Sequence, residues 1–142
     1  MVQFMRSMKT YIIGCIILVL FALNLEVNHA VHPVVNAHVM NDLSPNEVFT
    51  VNCKSNLVNL GFHDVEFNKE YNFLLVPNDF GTTLYECNVK FGDEKDWRRF
   101  SVYDQRRDLE RCAANCRWKI SDQRVLFGFD EVTGYWDYFR WL

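Results

Sequence analysis

The chain has no run of basic residues; its Lys and Arg are scattered among Asp and Glu along the whole length. Such a distribution offers no track for a phosphate backbone and no patch for an anionic membrane, so nucleic acid is not expected as a partner. The usual catalytic signatures are missing too. There is no G-x-S-x-G elbow, no H-E-x-x-H helix and no P-loop. Asp79-Phe80-Gly81 matches a kinase triplet by chance, because none of the other kinase parts accompanies it. No N-x-S/T sequon occurs, which excludes an N-linked glycan. Helical periodicity is almost absent beyond the N-terminal segment. Nor is there an apolar run long enough for a membrane anchor: Tyr11 to Leu23 is shorter than the roughly 20 residues a spanning helix needs, and Asn24 and Glu26 close it.

That short run has a different meaning. Preceded by Arg6 and Lys9 with no acid, it has the charged start and apolar middle of a signal peptide. Cleavage is expected after Ala30, which makes residues 1–30 the export segment and residues 31–142 the folded domain, with no stable membrane insertion afterwards. Removing Arg6, Lys9 and Glu26 takes the formal net charge from −3 to −4.

Of the 5 cysteines, Cys15 leaves with the export segment, so Cys53, Cys87, Cys112 and Cys116 remain. An even number in a secreted chain predicts two disulfides, with three connectivities open. Cys112 and Cys116 form a C-x3-C, but no His or second close pair completes tetrahedral zinc ligation, so no metal is expected.

Around these cysteines apolar and polar residues alternate with the period of a half-buried strand. Phe49, Val51 and Cys53 share one face, as do Tyr85, Cys87, Val89 and Phe91, and again Cys116, Trp118 and Ile120. Further strands are predicted at Val34–Met40, Tyr71–Val76, Arg98–Tyr103, Val125–Asp130 and Tyr135–Trp141, with a shorter one at Val65–Phe67. Turn residues separate them: Pro45, Pro77-Asn78-Asp79 with Gly81, Gly92-Asp93 and Gly134. With no helices to carry parallel crossovers, about 8–9 short strands predict an all-β antiparallel sandwich, immunoglobulin-like in architecture. Of the 4 Trp, 6 Tyr and 12 Phe, all but Phe4, Tyr11 and Phe21 lie in the mature domain and supply the apolar area that so small a domain needs.

The order of these pieces resembles the plant self-incompatibility S-proteins and their homologues. The resemblance runs through Asn41-Asp42-Leu43, the stretch Phe49-Thr50-Val51-Asn52-Cys53-Lys54-Ser55, and Leu60-Gly61. It continues through Tyr71-Asn72-Phe73, Phe80-Gly81-Thr82-Thr83-Leu84-Tyr85-Glu86-Cys87 and Phe100-Ser101-Val102-Tyr103-Asp104. Cys112 and Cys116-Arg117-Trp118-Lys119-Ile120 complete it. Two departures stand out: Asn52 where the family often has His, and Ser121-Asp122-Gln123-Arg124 where a Gly is usual. The resemblance implies a secreted β-sandwich with two disulfides, in a family whose best-understood members act as pistil-side recognition ligands for pollen.

The function expected is therefore that of an extracellular ligand for a cell-surface receptor protein, needing no cofactor and having no catalytic residue. The alternative is a secreted enzyme or defence-type protein acting on cell-wall or pathogen material. Candidate catalytic groups for that alternative are sparse. His32, His38 and His63 are the mature histidines, and they read as surface or strand residues. The charged segment Asp104–Arg111 reads as a solvated loop or short helical turn in which Arg106, Arg107, Asp108 and Arg111 are the candidate receptor contacts. Charge reversal at Arg106, Arg107 and Asp108 is expected to leave the fold intact. Because Cys116 points into the core at a strand start, Cys112 is not expected to pair with it.

Overall fold

A computed structural model of the chain describes residues 2–23 and 33–142, which fall into two units, Met1–Val31 and His32–Leu142. The first unit contains helix α1 (Val2–Leu23), whose side chains from Tyr11 to Val19 are exposed. Among the described residues no helix is long and apolar enough to cross a membrane. The expected cleavage point after Ala30 and the residue His32 lie outside the described residues.

The second unit is built of nine strands and one short helix. Strands β1 (Val35–Asp42), β4 (Glu70–Leu75), β7 (Asn115–Ser121), β8 (Leu126–Phe129) and β9 (Trp136–Phe139) form one sheet, in the order β4, β1, β7, β8, β9. Strands β2 (Phe49–Lys54), β3 (Asn59–Val65), β5 (Leu84–Phe91) and β6 (Arg98–Asp104) form the other, in the order β3, β2, β5, β6. Helix α2 (Gln105–Arg111) follows β6 directly. Most predicted strands are thus present, and the all-β class with two disulfides holds.

Two details differ from the sequence reading. The sheets are not wholly antiparallel: β1 and β7 run parallel, with Ala37 opposite Cys116 and Val39 opposite Trp118. No helical crossover is needed, because the chain between these strands passes through the opposite sheet. The short strand expected at Val65–Phe67 is instead β3, ending at Val65. It was hard to see because Gly61 takes a φ of 81° and the β2–β3 register shifts between Asn52 and Lys54.

Alternation within each strand drives the packing. In β1 the side chains Val35, Ala37, Val39 and Asn41 are buried and the residues between them only partly so, which turns one face of the sheet inward. Facing them are Val51, Cys53, Cys87 and Val89 from the other sheet, all fully buried. Trp118 lies between the layers against Phe100 (ring centroids 5.2 Å) and Phe139 (4.8 Å). Its indole Nε1 donates to the carbonyl of Val102 at 2.8 Å, linking β7 to β6 across the interior. Burial of each large apolar side chain stabilises the sandwich by about 1.5–3 kcal/mol. Gly128 pairs with Trp118, and a side chain there would force its neighbours to shift: a Cβ would meet Arg111 Nη1 and Phe139 Cε2 at 2.9 Å.

Cys53 and Cys87 are direct partners in the β2–β5 ladder and are bonded, so this bridge ties two strands of one sheet. The second bond joins Cys112 to Cys116, and the expectation that these two would not pair is corrected. Cys116 does point inward as expected, being fully buried. What the sequence reading missed is that Cys112 caps the C-terminus of α2 and turns inward as well, bringing the two Cα atoms to 4.9 Å. The two bridges restrict the unfolded chain unequally, since they span sequence separations of 34 and 4 residues. Chain entropy assigns about 4 kcal/mol to the first and about 2 kcal/mol to the second. A Cys53→Ala/Cys87→Ala variant should therefore unfold at lower denaturant than Cys112→Ala/Cys116→Ala, by about 2 kcal/mol in equilibrium unfolding, and non-reducing peptide mapping should recover both links.

Candidate functional site

The charged segment folds as α2 because Asp104 caps it: its backbone is extended, and its side chain accepts from the amide of Arg106 at 3.1 Å. Asp108 returns the interaction by accepting from the Asp104 amide at 2.8 Å, a reciprocal arrangement like a capping box. The Asp108 carboxylate has no exposure at all, and its Oδ1 also accepts from Arg107 Nε (2.8 Å) and Arg111 Nε (2.7 Å). Arg107 Nη2 adds a bond to Oδ2 at 2.6 Å and donates to the carbonyl of Ser101 at 2.7 Å. Arg111 Nη1 donates to the carbonyl of Phe129 at 2.7 Å. Both guanidinium groups lie over the ring of Trp118, at 5.1 Å for Arg107 and 4.6 Å for Arg111.

The segment is thus the short helical turn that the sequence allowed, but part of its charge is turned inward and is not solvated. Asp108 and Arg111 are buried and cannot contact a partner, and Arg107 is committed to Asp108, Ser101 and Trp118. Arg106 alone of the four is exposed. The expectation that charge reversal at Asp108 would leave the fold intact is corrected for the same reason.

Helix α2 also braces the loop between β4 and β5, beside which a second loop, between β2 and β3, projects. Gln105 is buried, and its Nε2 donates to the carbonyl of Asn78 (2.8 Å) while its Oε1 accepts from the amide of Thr83 (3.1 Å). Inside that loop Asn78 Oδ1 accepts from the amides of Phe80 and Thr82, and the Asn78 amide donates to Thr83 Oγ1. The neighbouring loop is held by Ser55, whose Oγ accepts from the amides of Leu57 and Val58. Together the two loops enclose a cleft of about 630 Å³ whose lining includes Lys54, Asn56, Leu57, Asn78, Thr82 and Glu86. Their tips display Leu57 (91% exposed) and Phe80 (87% exposed). Sequence reading missed this site, although Pro77-Asn78-Asp79 with Gly81 had marked one of its loops as a turn.

The described histidines are occupied elsewhere. His38 Nδ1 lies 2.9 Å from Glu70 Oε1 on the outer face of β1 and β4. His63 Nε2 donates to the carbonyl of Leu60, and its ring stacks on Tyr71 at 4.1 Å. Among the described residues no cluster of His, Cys, Asp or Glu is arranged to hold a metal ion.

The geometry defines a disulfide-tied, two-sheet domain that presents two braced loops. The model for plant self-incompatibility protein S1 matches residues 36–141, from β1 to the penultimate residue, and the chain belongs to this family. It is similar to self-incompatibility protein S1 of Papaver rhoeas, 26% identical over 124 residues that cover 87% of this chain and 88% of that one. It is also similar to S-protein homolog 5 of Arabidopsis thaliana, 35% identical over 81 residues, 57% of this chain and 61% of the relative. S-protein homolog 24 of the same plant is 34% identical over 94 residues, 65% of this chain and 60% of the relative. The chain thus spans about three fifths of these two Arabidopsis relatives. No solved structure matches it.

Two outcomes follow from the ion cluster. Asp108→Asn leaves two cations without their buried counter-charge and should cost about 3–5 kcal/mol, whereas the exposed Arg106→Glu should shift stability by about 0.5 kcal/mol or less; urea unfolding of the two variants decides. The second concerns Tyr103, whose phenol is pushed up to about 12, first by burial and then by the negative charges of Asp108 and Asp104. Because the folded value lies above the ordinary 10.0, the contribution to stability is complete below pH 10 and is lost as pH rises through about 12. Tyr103→Phe should therefore show a shallower loss of stability than the parent between pH 10 and 12, measured by chemical denaturation at stepped pH.

Proposed function

We infer that this chain is exported, loses residues 1–30, and acts outside the cell as a recognition or signalling ligand for a cell-surface receptor protein. The observation that carries the reading is the pair of braced loops with Leu57 and Phe80 held in solvent beside a cleft of mixed polar and apolar lining. Apolar side chains so exposed gain nothing for folding, and a partner that covers them gains their burial without first ordering the loops. Arg106, next in sequence to the Gln105 brace, is exposed and remains available as a charged contact.

Export is supported by the basic start and apolar run of α1 and by two disulfides, which persist in oxidising compartments. The two described histidines are engaged in local contacts, one against Glu70 and the other stacked on Tyr71. That self-incompatibility protein S1 is among the relatives supports recognition as the class of activity.

A Leu57→Ala/Phe80→Ala variant of the mature domain tests the reading. It should keep the parent's thermal unfolding to within about 0.5 kcal/mol, since both side chains are exposed. Its binding to receptor-bearing cells should fall at least tenfold. Unchanged binding would remove the loops from the interface, and recovery of unprocessed Met1 chain from the membrane fraction would overturn export.

A further inference from the structure

A second site lies on the outer face of the four-stranded sheet, away from the loop tips. Because Cys53 and Cys87 point inward, their neighbours Asn52 and Asn88 point outward, and the ladder sets these two directly opposite each other. The same cross-strand row continues to Phe62 on β3 and Arg99 on β6. Phe62 from one edge and Trp97 from the other lean over the row until their ring centroids are 5.8 Å apart at an interplanar angle of 52°. The two rings and the two amides enclose a pocket of about 270 Å³.

The polar floor is only partly used by the protein. Asn52 is buried, and its Nδ2 donates to Asn59 Oδ1 at 2.8 Å. Asn88, half-buried, makes no side-chain hydrogen bond among the described residues and keeps a full set of amide donors and acceptors. The rings remain open to solvent, Phe62 at 68% and Trp97 at 44% exposure. Lys90 stands 5.8 Å from the centre of the Trp97 ring, so the rim carries a cation.

The geometry points to a saccharide site in which a pyranose ring lies in the angle between Trp97 and Phe62 and hydrogen-bonds to Asn88 and Asn52. A pyranose has an apolar C–H face that stacks on an aromatic ring and a belt of hydroxyls that needs amides at its edge. The two rings offer the first, and the unspent amide of Asn88 with what Asn52 leaves unused offers the second. A purely apolar ligand would leave Asn88 without a partner under cover, at the cost of desolvating it. The shared chemistry is the pyranose itself, from a neutral or an acidic cell-surface polysaccharide.

Isothermal titration of the mature protein with cellohexaose and with hexagalacturonate separates the two sources. We expect at least one probe to bind, and Trp97→Ala and Asn88→Ala each to weaken that binding at least tenfold with an unchanged Tm. Leu57→Ala/Phe80→Ala should bind the same probe like the parent, which keeps this site distinguishable from the receptor loops. Failure of both probes to bind, or equal binding by Trp97→Ala and Asn88→Ala, would overturn the proposal.

Discussion

The structure depends on a single buried carboxylate. Asp108 accepts four hydrogen bonds, three from two arginines and one from the start of its own helix, with no exposure to water. Alone, a charge so placed would be expelled or neutralised, because desolvation costs several kcal/mol per ion. Here the two guanidinium groups repay it and pass the constraint outward: Arg107 reaches β6 at Ser101, and Arg111 reaches β8 at Phe129. These strands belong to different sheets, so the cluster pins the two layers together where the backbone ladders do not. Gly128 exists for the same reason, since any side chain there would displace Arg111, Phe139 or Trp118.

From this anchor the order extends to the loops. Gln105 follows the helix cap and is placed by it, and Gln105 in turn grips the backbone on both sides of the Asn78–Thr83 loop. A loop held this way is pre-organised, and a partner loses less entropy in engaging it than it would with a free loop. Core and loop surface are therefore connected, but not interchangeable. Loss of Asp108 would weaken both, whereas loss of Leu57 or Phe80 touches only the surface.

Most strands were legible because period-2 alternation reports which face is buried, and Cys53, Cys87, Cys116 and Trp118 all point inward as their spacing demands. Alternation carries no information about strand direction, so the parallel β1–β7 pair could not be seen. Strand β3 escaped because Asn59 to Asp64 shows no alternation: it is an edge strand with one bulge, and even its inward residue His63 remains exposed. The segment Asp104–Arg111 misled most, since alternating charge usually means a solvated surface. A signal was nonetheless present. Gln105, Asp108 and Cys112 recur at helical spacing and are all buried, a stripe that composition hides because two of its members are polar. That stripe also turns Cys112 inward, which is why the buried charges of α2 and the unexpected Cys112–Cys116 bond belong to one error and not two.

An open sandwich has four edge strands, here β3, β4, β6 and β9, and each could pair with another copy. Each is blunted by a different means. In β3, Gly61 in a left-handed conformation and a register shift break the flat ladder. β9 has only four residues, Trp136–Phe139. β6 begins with Arg98 and Arg99, and β4 with Glu70, which places charge at the start of both edges. The braced loop tips and the Phe62–Trp97 pair, the two surfaces proposed for contact, both lie on or beside the β3, β2, β5, β6 sheet. The Cys53–Cys87 bond crosses the two central strands of that sheet, whose next outward pairs are Lys54–Glu86 in the cleft and Asn52–Asn88 in the aromatic pocket. One covalent cross-link thus fixes the register of both surfaces, and a slip of one residue by either strand would turn its own two of these four side chains inward.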